Sequence, residues 1–116
     1  MACLALALLA LLVAAPAAPA AVLLEGFESG TFSAWTSVQT GADGVAVVQS
    51  DMVRAGVGAA RLSATTAKGS FARIRKTLSP AATTLVAEGE FRVLAEGDKN
   101  ANVPIFRLLD GSGAGV

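Results

Sequence analysis

The chain has no histidine and no tyrosine, and its only cysteine, Cys3, lies at the extreme amino end. Without histidine, no Ser-His or Cys-His nucleophile pair can form, and histidine-based zinc sites are excluded. Five Phe and Trp35 are the only aromatic residues, so broad aromatic binding surfaces are scarce. Charge of a dominant sign is missing too: nine basic and nine acidic residues cancel. That balance argues against nucleic acid and anionic membrane as main partners, because both select clustered Lys and Arg.

The first 24 residues lack any charged side chain. Within them Leu4 to Ala15 is an unbroken apolar run. It has the length of a signal-peptide core and is shorter than the ~20 residues of a membrane-spanning helix. Pro16 and Pro19 break any helix there, and Ala18-Pro19-Ala20 supplies the small residues a signal peptidase reads. Residues 1–20 are therefore expected to be a helical signal peptide cut after Ala20, although no Lys or Arg precedes the apolar run. Cys3 precedes that run and so is not a lipoprotein cysteine. Its loss with the leader leaves a domain that cannot form a disulfide in a compartment that permits one. No membrane span is expected after cleavage, and the product is secreted or displayed at the cell surface.

The remaining 96 or so residues suffice for one core, not two. They are rich in turn signals and keep no helical period. Strands are expected at Val22–Phe27, Val45–Gln49, Ala59–Thr65, Ser70–Leu78, Leu85–Ala95 and Val103–Leu109. Ala59–Thr65 and Leu85–Ala95 show the period-2 alternation of half-buried strands. Gly41-Ala42-Asp43-Gly44 is a turn, Arg54–Gly58 is a glycine-marked loop, and Thr31–Trp35 is a loop or a single helical turn. Short strands at this spacing predict an all-β sandwich or barrel over residues 21–116. Asp110-Gly111-Ser112-Gly113 opens a turn with no second arm, so the domain is expected to be the amino-terminal part of a longer sandwich.

Gly26-Phe27-Glu28-Ser29-Gly30 followed by Trp35, the stretch Arg54 to Leu62, Ile74 to Leu78, Glu90 to Val93 and Ile105 to Gly113 together resemble a known pattern. It is that of concanavalin A-like (laminin-G-like) jelly-roll modules and of carbohydrate-binding modules of similar form. The resemblance implies a two-sheet jelly-roll sandwich, often calcium-stabilised, that binds glycans or other extracellular ligands. It also implies that Trp35 is a core residue and that Glu28 helps to hold a structural calcium.

Glu88 and Glu90 are the only acid pair with an enzymatic look. At i and i+2 on a strand their Cα atoms would lie roughly 6.5–7 Å apart, near a glycosidase spacing. Jelly-roll glucanases add a third acid that Val86 to Arg92 lacks, so the pair reads as surface charge. In a hairpin of Ser70–Leu78 with Leu85–Ala95, Arg75 faces Glu88 and Arg73 faces Glu90. The candidate ligand-binding residues are Trp35, as a sugar-stacking ring, with Arg73 and Arg75. Asp98-x-Asn100-x-Asn102 mimics the start of a calcium loop, but Val103 and Leu109 stand where glycine and glutamate belong.

Three roles fit these residues. The chain is a non-catalytic module for carbohydrate or another extracellular ligand, the amino-terminal piece of a polysaccharide-active enzyme, or a structural, adhesive surface domain.

Overall fold

The computed structural model describes residues 22–97 and 103–115. Four strands form, β1 (Ser37–Gly41), β2 (Val45–Gln49), β3 (Ala59–Ser63) and β4 (Phe71–Arg75), and no helix is present among the described residues. The chain is all-β. The leader expected at residues 1–20 and the Asp98–Asn102 turn lie outside the described residues.

The strands make two antiparallel ribbons, β1 with β4 and β2 with β3. β2 and β3 pair from Val45↔Ser63 to Gln49↔Ala59. β1 and β4 pair from Ser37↔Arg75 to Gly41↔Phe71. The inner ribbon is thus nested in sequence within the outer one. The chain passes from outer to inner ribbon at 42–44 and back again at 64–70, and the ribbons approach one another.

These two passages are fastened together. Gly44 N donates to Gly41 O at 2.8 Å, closing the first turn, while Ala42 takes a left-handed φ of 47°. Gly44 lies so close to the Phe71 carbonyl that a Cβ there would overlap it, which makes glycine a requirement of space. In the second passage Thr65 N donates to Ser70 Oγ at 2.9 Å and Ala67 N to Thr65 Oγ1 at 3.0 Å. Thr65 Oγ1 donates to Asp43 Oδ2 at 2.7 Å and so joins the two. Its hydroxyl, followed by Ser70, holds the Asp43 carboxyl below the ordinary aspartate value of 3.8.

Three of the expected strands form, Val45–Gln49 with the expected bounds and β3 and β4 with shorter ones. Three do not. Val22–Phe27 is irregular, because Phe27 turns to a φ of 60° and its carbonyl accepts from Gly30 N at 3.0 Å. Leu85–Ala95 carries no ladder and is exposed throughout. Val103–Leu109 contributes only the bridge Leu109↔Gly115. The expected hairpin of Ser70–Leu78 with Leu85–Ala95 is likewise replaced, since β4 pairs with β1. The Asp110 turn does have a short second arm. Asp110 N donates to Ala114 O at 2.9 Å, and Asp110 Oδ1 accepts from Ser112 N at 2.8 Å, Ser112 Oγ at 2.6 Å and Ala114 N at 2.9 Å.

Among the described residues no hydrophobic side chain is fully buried. Gly58 alone among the described residues is buried, under the Phe27 carbonyl. The half-buried positions alternate along the ribbons: Ala46 and Val48 on β2, Ala72 and Ile74 on β4. These positions mark the apolar side of β2 and β4, while on β1 Ser37 and Gly41 are the half-buried residues.

Candidate ligand-binding face

The other side of the outer ribbon carries the polar groups. Directly opposed residues of an antiparallel pair share a face. Ser37 and Arg75, Gln39 and Arg73, Gly41 and Phe71 are therefore neighbours on one surface, and the alternate pairs Val38–Ile74 and Thr40–Ala72 lie on the reverse. Arg73 is held from two directions. Its Nε donates to Gln39 Oε1 at 2.7 Å, and its guanidinium lies over the Phe71 ring, 5.1 Å from the centroid. An exposed cation–π contact of this kind contributes about 0.5–1 kcal/mol. The two terminal amino groups of Arg73 keep their donors.

Arg75 stands beside it, two residues along the strand. Its carbonyl accepts from Thr36 N at 2.8 Å, which extends the ribbon one residue past Ser37. Lys76 turns away and donates to Ala34 O at 2.6 Å. Arg73 and Arg75 are thus brought together, but not with the acids the sequence paired them with. Glu90 instead meets Arg54 at 2.8 Å, with both side chains more than 60% exposed (77% and 65%). Such a pair contributes little. Glu88 and Glu90 are exposed and sit on a segment without a ladder, so no strand fixes their separation. Gln39 and Phe71 are the members of the face that sequence reasoning missed. Phe71 was visible at the head of the alternating run, whereas Gln39 lies in a strand that carries one large apolar residue.

Trp35 is elsewhere. Its ring stacks parallel on Phe27 with centroids 6.1 Å apart, and Phe27 meets Phe32 edge-on at 6.0 Å. Trp35 is half-buried, and its buried Nε1 finds no acceptor among the described residues. One face of the ring is therefore taken up by packing on Phe27.

Glu28 caps a loop. Its Oε2 accepts from Val57 N at 2.9 Å, and its carboxylate lies directly against Gly56, whose φ of 73° and closeness to that carboxylate both favour glycine. The adjoining cleft, 190 Å³ between Phe27, Glu28, Val48, Gln49 and Val57, is smaller than ordinary ligand pockets of about 300–1,000 Å³. The Gln49 amide is engaged at both ends, with Met52 O at 2.6 Å and Met52 N at 2.8 Å. Calcium takes six to eight oxygen ligands. Among the described residues no three acidic, cysteine or histidine side chains gather, so Glu28 is not part of a three-carboxylate cage there.

Among the described residues no helix is long and apolar enough to cross a membrane. No protein-family model, no curated protein and no solved structure matches the chain.

Proposed function

We propose that the chain is an exported, non-catalytic module of jelly-roll form that binds an extracellular glycan on the outer face of the β1–β4 ribbon. The observation that carries this reading is the Gln39–Arg73–Phe71 arrangement. A guanidinium fixed by a hydrogen bond and a ring, on an exposed strand face beside Arg75, presents donors whose side-chain entropy is already spent. The jelly-roll form is supported by the nesting of β2–β3 within β1–β4, with both passages between ribbons joined through Asp43. Export is supported by the uncharged leader and its Ala18-Pro19-Ala20 boundary. Trp35 belongs in this reading to packing, and Glu88 and Glu90 to the solvated surface. The test is retention of the secreted chain on an immobilised polysaccharide array. Retention on at least one polysaccharide, reduced by Arg73→Ala with the circular dichroism unchanged, is the expected result. Failure to bind any polysaccharide sinks the reading.

A further inference from the structure

We infer that the ligand of the β1–β4 face is an anionic polysaccharide, one carrying carboxylate or sulfate on its sugars. This rests on the glycan-binding role proposed above and names the class of glycan. Two guanidiniums, Arg73 and Arg75, project from one side of one strand, with Cα atoms roughly 6.5–7 Å apart. No acid among the described residues neutralises either of them, for the ion pair that does form joins Arg54 to Glu90. Asp43 and Glu28 are engaged elsewhere in the fold, Asp43 accepting from Thr65 and Glu28 from Val57 N. The positions on the face opposite the arginines are Ser37 and Gln39, both neutral. Among the described residues no counter-charge is supplied to this face, which leaves it open to an anionic ligand.

The shape of the donors narrows the choice. A guanidinium offers a planar fork that matches carboxylate or sulfate oxygens in pairs. Gln39 takes only Nε of Arg73, so the outward fork remains open. Phe71 supports that fork from below and is a positioning residue. A two-stranded ribbon is extended, and a linear polymer can lie along it with its anions meeting both arginines. A lipid surface is a weaker fit, since such surfaces attract clusters of about four to eight cations. Here the neighbouring Lys76 is turned to the Ala34 carbonyl.

The experiment uses the secreted full chain against immobilised polygalacturonate, a sulfated galactan, a neutral β-glucan and phosphatidylserine vesicles. Retention is expected on one or both acidic polysaccharides, falling steeply as NaCl rises from about 0.02 to about 0.5 M. Whether the uronate or the sulfated polymer is held identifies which anion the fork takes. Arg73→Ala and Arg75→Ala are each expected to weaken binding about tenfold or more, as loss of a charge-assisted bond implies. Arg73→Lys keeps the charge without the fork and is expected to fall between wild type and Ala. Arg61→Ala, on the inner ribbon, is the control and is expected to bind as wild type. Equal retention on the neutral glucan, insensitive to salt and to both substitutions, overturns the anionic inference while the glycan-binding reading survives. No retention on any polysaccharide overturns both. Binding to vesicles in preference to polysaccharides overturns the choice of ligand.

Discussion

At the scale of single residues, the tightest constraint is at Gly44. A methyl group there would meet the Phe71 carbonyl, which is backbone and cannot swing aside as a side chain would. Gly44→Ala is expected to cost about 1–3 kcal/mol, as overpacking does. Gly111→Ala is the matched comparison, because nothing lies within 4 Å of the added carbon. It is expected to stay within about 0.5 kcal/mol of wild type. Urea midpoints of the two variants check both values, and equal midpoints would contradict the packing described at the 42–44 turn. Trp35 makes a second residue-scale case. Its ring covers Phe27, so Trp35→Ala is expected to lower stability by about 2 kcal/mol, less than for a fully buried ring. The same variant, compared below its own midpoint, is expected to keep its polysaccharide retention. Loss of retention with an unchanged midpoint would return Trp35 to the binding surface.

At the scale of elements, Asp43 decides how the two ribbons are joined. Bonds from Thr65 and Ser70 favour its ionised form, so its folded pKa lies below the ordinary 3.8. A carboxyl depressed on folding lends stability at pH above its unfolded value, and that stability is lost as pH falls through the folded one. Asp110, held by Ser112 and Ala114, is shifted in the same direction. Stability is therefore expected to be level above about pH 4.5 and to fall below about pH 3.8. Asp43→Asn is expected to be less stable than wild type at pH 7 and to show a shallower acid loss. Urea midpoints measured between pH 7 and pH 2 test this, and parallel profiles would remove Asp43 from the junction.

What the sequence makes legible at this scale follows from where the period lies. Val45–Gln49, Ala59–Ser63 and Phe71–Arg75 were readable because apolar residues recur there between turn signals. Ser37–Gly41 was not, since Val38 is its only large apolar side chain. It is a strand because β4 offers it a partner. Leu85–Ala95 shows the opposite failure. Its alternation states which side would be buried if a partner lay alongside, and alternation alone supplies no partner. The candidate face inherits this pattern. Arg73 and Arg75 could be picked out as a pair on one strand side, but Gln39 joins them only through the β1–β4 register. The register also explains why Glu88 and Glu90 do not meet those arginines.

At the scale of the whole molecule, the leader and the missing disulfide are one argument. Cys3 is the only thiol in the chain, and it precedes the expected cut after Ala20. If the leader is removed, the exported form carries no sulfhydryl, and its fold must rest on packing and hydrogen bonds such as those joining Asp43 to Thr65. That makes export measurable in two independent ways. Protein recovered from the secreted fraction is expected to begin at Ala21 and to show no reaction with a thiol reagent, while precursor retained in the cell reacts once per chain. Its unfolding midpoint is expected to be the same with and without reductant, because no disulfide can contribute. Ala18→Lys with Ala20→Lys removes the small residues at the boundary and is expected to abolish cleavage, with the thiol then persisting in the recovered protein. Secreted protein that still begins at Met1 and still titrates one thiol would contradict the leader.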